Sequence, residues 1–484
     1  MRKPTYFFAG FLIAVLSAAV LSPGFSAELT VKQDGSGNYQ TIQAALNAAQ
    51  PGDTITVYAG NYKEDLSIGN VNMPPLKKDN LTLQAAEGAE VVVEAANGVS
   101  RVQALAAAGA DFGPIDYFGF FINGDNTVID GIKFVQKTEG RNALNIATAV
   151  IVISSHVIIR NCEIEGPGTS VEGDCVGVVI SPFDVISLQQ GKSALAQDFR
   201  IENTRFHDVP YGFATANIPL ELGLPVPSPD THLVNCDFYD NATGIEMDDG
   251  EIIAENCHFY NNGEGVSISD DKATLRNCLI ENNLETGINV DDSSIEDDEP
   301  AGSPIIAIEH CMILNNGEEA NHHGLRMEHG TFTVTNTVIA GSSGFNIYFE
   351  PPSSRTITIS LDHCDLYRSD TGIAVSSPDE PSNFINLTMT NSIITDDSGV
   401  FNAFPALQGT FDTNNFFVTV DPFFPDDMDL IVTNLLNVDP QYTDPANGDF
   451  TLKEGSPVAT AGKNGTFLGA KGLKPAGIPQ WMQN

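Results

Sequence analysis

The chain has 484 residues and a strongly unbalanced charge, with 63 Asp and Glu against 23 Lys and Arg and a formal net charge of −40 at pH 7. This balance argues against nucleic acid as a partner, because few cations are available to displace counterions from phosphates. A hydrophobic fraction of 42% excludes a disordered chain and is sufficient for a large core.

The N-terminus has the features of an export signal. Arg2 and Lys3 precede an apolar run over residues 7–21, which is followed by small residues up to Ala27. We therefore predict a signal peptide over residues 1–27 and a secreted, periplasmic or cell-surface mature protein. An uncleaved membrane anchor is the alternative, although the run is short for a spanning helix. No later stretch is long and apolar enough to cross a bilayer.

A short helix is predicted next. Residues 41–49 form a small amphipathic segment, and the Pro51-Gly52 pair ends it. The first predicted strand follows at residues 54–58. Because this helix precedes a long run of repeats, we expect it to cap one end of the structure that they form.

The repeats have a period of 21 residues. Cys236, Cys257 and Cys278 are each 21 residues apart, and each follows an Asn. The same pair, with His replacing Asn or with Thr or Ser replacing Cys in some copies, recurs at residues 161–162, 203–204, 310–311, 336–337, 363–364 and 391–392.

Each repeat also contains a Gly followed by alternating apolar residues, which is typical of a strand with one buried face. Such segments begin at Gly177, Gly244, Gly265, Gly287, Gly324, Gly344 and Gly372. A repeat of this length, with three short strands and no helical stretch, favours one coil of a parallel β-helix. Roughly ten coils, stacked about 4.8 Å apart, then form a rod about 50 Å long.

The repeated Cys and Asn have structural interpretations in this arrangement. The chain has seven Cys, and stacking places them in one buried column of reduced thiols, with Cys175 out of register. The repeated Asn should form a ladder at a tight turn between strands. The period is lost near residue 400. We predict a β-helix with its cap over residues 28–400 and an irregular segment over 401–484 that closes it.

Two segments carry a family resemblance. DGSGNYQTIQAALNAA (34–49), followed by ITVYAGNYKE (55–64), resembles the start of right-handed β-helix proteins of the pectin-lyase-like superfamily, and of pectin methylesterases in particular. The tail over residues 439–457 resembles the closing segment of many secreted β-helix repeat proteins. The resemblance implies an all-β, single-stranded right-handed parallel β-helix, with a carbohydrate site on the sheet that the Gly-initiated strands form.

No catalytic motif of that superfamily is present. The pectin methylesterase motif that includes Trp, the Gly-His-Gly and Arg-Ile-Lys motifs of polygalacturonases, and the Asp-Pro-His motif of alginate epimerases are not found, and the one Trp is Trp481. Candidate residues therefore have to come from the outward positions of the Gly-initiated strands.

Those outward positions form columns along the rod. The second position after Gly gives Glu246, Ser267, Asn289, Arg326 and Asn346; the fourth gives Asp248, Ser269, Asp291, Glu328 and Tyr348; the fifth gives Asp249, Asp270, Asp292 and His329. His322 and His323 precede Gly324. We predict a patch of carboxylates with a few basic and aromatic groups. Asp residues that merely form turns, and an Arg326 that merely forms an ion pair, are the simpler interpretations.

Three functions fit this patch. The first is a Ca²⁺-dependent lyase for an acidic polysaccharide, with Arg326 or His329 as base and Tyr348 as proton donor. Its Ca²⁺ ligands would be Asp249, Asp270, Asp291 and Asp292, and its substrate contacts Glu246, Asp248, Asn289, Glu328, His322 and His323.

The second function is a glycoside hydrolase that pairs Asp248 with Asp270 or Asp291, because neighbouring and alternate coils give suitable carboxylate separations. The third is a non-catalytic surface or matrix protein that binds glycans or Ca²⁺.

Overall fold

The computed structural model describes residues 26–69, 77–96, 99–100, 117–136, 147–169, 175–180, 197–215, 230–247, 250–269, 272–291, 304–319, 322–351, 355–369, 371–376, 385–395, 401–402, 407–418, 429–471 and 473. Three long sheets, of 15, 13 and 13 strands, run along the molecule, and each coil of the chain contributes one strand to each sheet in turn. Successive coils pair in parallel, as expected for a parallel β-helix.

Sheet 1 comprises Glu28–Val31, Thr54–Val57, Thr82–Ala85, Val128–Asp130, Ile158–Arg160, Phe199–Glu202, Asp230–Val234, Glu251–Glu255, Lys272–Arg276, Ile305–Glu309, Gly330–Thr335, Ile357–Asp362, Ile385–Thr390, Leu407–Asp412 and Asp429–Thr433. Sheet 2 comprises Gly60–Lys63, Val91–Glu94, Lys133–Val135, Glu163–Glu165, Arg205–His207, Asp237–Tyr239, His258–Tyr260, Leu279–Glu281, Met312–Leu314, Val338–Ala340, Asp365–Tyr367, Ile393–Thr395 and Asn415–Phe417. Sheet 3 comprises Leu66–Ile68, Tyr117–Ile122, Ala147–Val152, Val176–Ile180, Tyr211–Thr215, Thr243–Met247, Glu264–Ile268, Ile288–Val290, Leu325–Met327, Phe345–Phe349, Thr371–Val375 and Phe401–Asn402, with Val99–Ser100 antiparallel to its second strand.

The interior is built from columns of equivalent residues. Phe206, Phe238 and Phe259 stack face to face, with ring centroids 4.6 and 4.9 Å apart. A coil cannot bury these side chains alone, so neighbouring coils stabilise one another. All seven Cys are free and buried, which confirms the prediction of reduced thiols.

In the sheet 3 strands from Gly177 to Gly324, the Gly that begins the alternating segment is required by the stacking of the coils, whereas Asn346 occupies this position in the following coil. A Cβ added at Gly265 would lie 2.5 Å from the Gly287 carbonyl oxygen, and the same conflict recurs at Gly244. Gly265 and the buried Val266 both face the interior. The Glu264 side chain reaches the outer row that contains Ser267 and Asn289, because it accepts from the Asn289 amide at 3.2 Å.

The predicted Asn ladder is present at the turn between sheets 1 and 2. Asn256 donates to the Asn235 amide oxygen at 3.2 Å, and Asn235 donates to that of Asn203 at 3.1 Å. All three have positive φ, between 48° and 56°, which Asn tolerates better than most residues.

A second Asn ladder, which the sequence analysis missed, lies inside the turn between sheets 2 and 3. It consists of Asn241, Asn262, Asn283 and Asn316. Each of the first three donates both to the next amide oxygen and to a backbone carbonyl.

The N-terminal end is covered by the predicted helix, which spans Ile42–Ala48. The Thr41 hydroxyl accepts from the Ala44 N–H, and the Glu64 carboxylate accepts from two further N–H groups of the first turn at 2.9 Å each. Ile42 and Leu46 are buried against the first coils. The predicted signal peptide over residues 1–27 lies almost entirely outside the described residues. No helix in the described part of the chain is long and apolar enough to cross a membrane.

The C-terminal end differs from the predicted boundary at residue 400, because strands of the stack continue to Thr433. Segment 439–471, called here the C-terminal strap, then packs on the outer face of sheet 2. The strap contains an antiparallel pair, Tyr442–Asp444 with Asp449–Leu452, and the 3₁₀ helices Pro445–Asn447 and Lys463–Gly465. Its apolar residues bury an outer row of sheet 2 that includes Met312, Leu314, Val338, Ala340, Tyr367 and Ile393.

Candidate active site on sheet 3

The outer face of sheet 3 carries the candidate site in four consecutive coils. Strand register aligns Ser267 with Asn289, Asn289 with Arg326, and Arg326 with Tyr348. The sequence pattern instead predicts Asn346 beside Arg326, with Tyr348 two residues further along. A shift of two residues keeps every side chain on the same face of a strand, so the alternation of apolar residues could not reveal it.

Arg326 is the centre of a polar network. Its guanidinium donates to Glu350 at 2.9 Å, to the Asn289 amide oxygen at 2.9 Å, and to Glu328. Burial opposes the charged form, but Glu328 and Glu350 raise the pKa of Arg326 above its usual value. A guanidinium held in this way stays protonated, which suits a positioning role better than the role of a base.

Glu264 is the group that the sequence analysis missed. Its pKa is raised to about 7, chiefly by burial and then by the charge of Glu285, although the Asn289 amide opposes the shift by donating at 3.2 Å. Asn289 therefore links Glu264 to Arg326. The signal in the sequence was an acidic residue directly before Gly265, at the position that Thr243 occupies in the preceding coil.

An aromatic group flanks the network. His323 is 3% exposed, and its ring packs against a tilted Tyr348 ring and stacks on Phe345, with centroids 4.2 and 5.3 Å away. Its Nδ1 accepts from the Phe345 N–H at 3.2 Å. Burial and the nearby Arg326 charge lower the pKa of His323 to about 4, so the ring is neutral at pH 7. Burial followed by the Glu350 charge raises the pKa of Tyr348.

The remaining candidates are more scattered. Glu246 shares the row of Ser267 and is partly buried. Asp291 accepts from the Ser269 hydroxyl at 3.2 Å, and His322 lies partly buried next to His323. His329 is 2% exposed, at the turn that leads into sheet 1. Asp248, Asp249, Asp270 and Asp292 lie outside the described residues.

Potential metal donors cluster elsewhere in the described chain. The side chains of Glu163, Glu165 and His207, on the outer face of sheet 2, place ligand atoms within 4.8 Å of one another. The Lys133 ammonium contacts both carboxylates at 2.5 Å. Because Lys133 already pairs with both carboxylates and His207 contacts Glu163, this cluster is better explained as an ion-pair network.

Comparison with known families identifies the architecture. A model described as a right-handed beta helix region matches residues 109–294 and 227–350, which together span half of the chain. The chain belongs to the right-handed β-helix family. A second family model, a domain of unknown function designated DUF5123, matches residues 359–472. The second match therefore covers the last coils together with the whole strap.

Several solved structures are similar to this chain at low sequence identity. Tailspike protein 3 of bacteriophage CBA120 is 9% identical over 82% of this chain, with a TM-score of 0.50, and 58% of its own length is covered. The periplasmic alginate epimerase AlgG is 11% identical, with a TM-score of 0.45 and coverage of 80% of this chain and 77% of that one. Pectate lyase Pel9A is 13% identical, with a TM-score of 0.37 and coverage of 92% and 96%. No curated protein matches the sequence.

Proposed function

We propose that the outer face of sheet 3 binds a polysaccharide and cleaves its glycosidic bonds, with Glu264 as the proton donor. The observation that carries the proposal is the position of Glu264: it accepts from Asn289, which links it to the Arg326 network, and burial raises its pKa to about 7. A partly buried carboxyl group with a raised pKa, placed beside further carboxyl groups, is the arrangement that acid-assisted glycoside cleavage requires.

The chemistry follows from the two protonation states. Protonated Glu264 gives its proton to the glycosidic oxygen as the bond to the sugar breaks. A second carboxylate, for which Asp291 in the next coil and Glu328 two coils away are the described candidates, acts on the sugar as nucleophile or activates a water. Asp291 is near enough to Glu264 for its charge to raise the Glu264 pKa, so the two carboxyl groups can act on one substrate.

Arg326, Asn289 and Tyr348 position these groups in the proposal. Arg326 holds Glu328 and Glu350 and, through Asn289, the Glu264 side chain. The aromatic rings of Tyr348 and Phe345, packed on His323, offer an apolar surface beside the carboxylates. A sugar ring presents both hydroxyls and an apolar C–H face, so it can contact both parts of this surface.

The charge of the site favours a neutral glycan. Arg326 is already neutralised by two carboxylates, and Glu285 and Asp291 add further negative charge next to Glu264. An acidic polysaccharide could approach only if a divalent cation bridged the charges. This excess of carboxylates also favours the second candidate function, a Ca²⁺-dependent lyase. Its ligands would be Asp291 together with Asp249, Asp270 and Asp292, which lie outside the described residues.

One experiment separates these functions. Purified protein is incubated with neutral and acidic polysaccharides, with Ca²⁺ or with chelator, and reducing ends and unsaturated uronates are measured separately. We expect reducing ends from a neutral glycan, without a Ca²⁺ requirement, and a loss of at least 100-fold in Glu264→Gln. Glu87→Gln, at an exposed site far from sheet 3, is the matched control. Unsaturated products that disappear with chelator would support the lyase, and binding without cleavage would support the non-catalytic alternative.

Export of the mature protein remains part of the proposal. The predicted signal over residues 1–27 and the acidic surface fit a protein that meets polysaccharide outside the cytoplasm.

A further inference from the structure

A cavity of about 260 Å³ lies on sheet 2, away from the candidate active site. One side is formed by the ends of sheet 2 strands in four consecutive coils, from Glu281 through Leu314 and Ala340 to Tyr367. The other side is the 3₁₀ helix Pro445–Asn447 of the C-terminal strap. We call this cavity the strap cavity. Four coils at a spacing of about 4.8 Å give it a length of about 14 Å.

The walls of the strap cavity are firmly fixed. Phe450 packs edge-on against Tyr367 and Tyr442, with centroids 5.3 and 5.4 Å away. The strap is further attached through buried Asp365, which accepts from the Tyr442 hydroxyl at 2.6 Å and from the Ala470 N–H at 2.9 Å. The cavity is therefore present before any ligand binds, which reduces the entropy cost of binding.

The lining combines apolar and polar groups in the manner of a small-ligand site. Leu314 and Ala340 supply aliphatic surface, and Asn315 contributes an amide. Glu281 and Arg368 carry opposite charges and lie three coils apart along the cavity. An elongated ligand with apolar faces and many hydroxyl groups matches this lining, because hydroxyls donate to carboxylates and accept from guanidinium groups.

Other ligand classes fit less well. A polyanion would meet Glu281 and a protein of net charge −40. An extended peptide usually pairs with a free strand edge, but the sheet 2 strands here pair with neighbours on both sides. A volume just below the range of about 300–1,000 Å³ for drug-sized ligands suits a short oligosaccharide.

We propose that the strap cavity is a second, non-catalytic binding site for a neutral oligosaccharide, built jointly by the β-helix and the C-terminal strap. The proposal does not depend on cleavage at sheet 3. A site of this kind would give a polysaccharide chain a second point of contact with the β-helix. Once one site is occupied, the linked second site meets the chain at a high effective concentration, which raises the overall affinity.

The test counts bound ligands by isothermal titration calorimetry in the Glu264→Gln background, which prevents cleavage during the measurement. The probes are hexasaccharides of β-1,4-linked xylose, glucose, mannose and galactose. Asn447→Trp fills the cavity from its exposed lip, and Arg368→Asn removes the cation while keeping a residue that tolerates the φ of 55°. Glu454→Trp, exposed elsewhere on the strap, is the control.

We expect at least one probe to lose one bound ligand per protein in Asn447→Trp, and to bind at least tenfold more weakly at that site in Arg368→Asn. The control should leave both quantities unchanged. Unchanged stoichiometry in Asn447→Trp, or no binding of any probe, would overturn the strap cavity as a glycan site. Either result would leave the proposal for sheet 3 intact, because the latter is judged by cleavage.

Discussion

Replacing Asp365 by Asn should make the stability of the protein less dependent on pH. Asp365 is completely buried under the strap, and burial raises the pKa of its carboxyl from 3.8 to about 7, although hydrogen bonds from Tyr442 and Ala470 oppose the shift. The folded protein therefore holds a proton between pH 4 and pH 7 that the unfolded chain has lost. Stability contributed by this group is complete below pH 4 and falls as the pH rises towards 7.

The magnitude follows from the difference in proton affinity. At about 1.4 kcal/mol for each tenfold change, the rise from 3.8 to about 7 corresponds to about 4 kcal/mol of unfolding free energy. An Asn at position 365 has the same shape and no charge. Its amide oxygen can accept from the Ala470 N–H, and its NH₂ can donate to the Tyr442 hydroxyl oxygen. The variant keeps both contacts without the cost of burying a carboxylate.

Urea denaturation at pH 4 and pH 7.5 measures the effect, with hydrogen exchange at residues 468–470 as a local report on the strap. We expect wild type and Asp365→Asn to agree at pH 4, and the variant to be more stable by up to about 4 kcal/mol at pH 7.5. Asp444→Asn, an exposed position of the strap, controls for the change in net charge. A variant that is several kcal/mol less stable than wild type at both pH values would refute the reasoning.

Three further predictions concern the stack and the site. Asn262→Ala should lower the unfolding free energy by about 2–4 kcal/mol in urea denaturation, because it removes the acceptor of the Asn241 N–H and a donor to the Phe238 carbonyl; a loss below about 1 kcal/mol would contradict the ladder's role. Arg326→Gln should move the basic limb of the pH–rate profile to higher pH, because the Arg326 charge lowers the pKa of Glu264; a shift in the opposite direction would contradict the network. If Ca²⁺ binds at Asp291, chelator should lower the melting temperature of wild type but not of Asp291→Asn, whereas equal curves with Ca²⁺ and chelator would remove the metal site.

Periodicity made the architecture predictable. The 21-residue spacing of Cys236, Cys257 and Cys278 reflects one position in consecutive coils, and a Gly such as Gly244 or Gly265 reflects the close approach of the next coil's carbonyl. Both are properties of a single coil that repeat along the sequence. The helix Ile42–Ala48 was also readable, because Thr41 and Pro51-Gly52 mark its ends locally.

The site was less predictable because it depends on contacts between coils. Glu264 is unusual only once burial and the Asn289 contact are known. The two-residue shift that brings Tyr348 beside Arg326 leaves the alternation of its strand unchanged. Docking of the strap on sheet 2 joins residues as distant as Asp365 and Ala470, and no local pattern encodes that pairing.

The pH dependence of polysaccharide cleavage tests most directly whether Glu264 is the proton donor. kcat/KM is measured from pH 4 to pH 9 on the best neutral substrate, for wild type and for Glu264→Gln. Because the donor must be protonated in the free enzyme, the wild-type kcat/KM should fall tenfold for each pH unit above about 7. Glu264→Gln should lack this limb and keep only a small residual rate. A wild-type profile that stays flat from pH 6 to pH 9, or a variant that retains the same basic limb, would contradict the account.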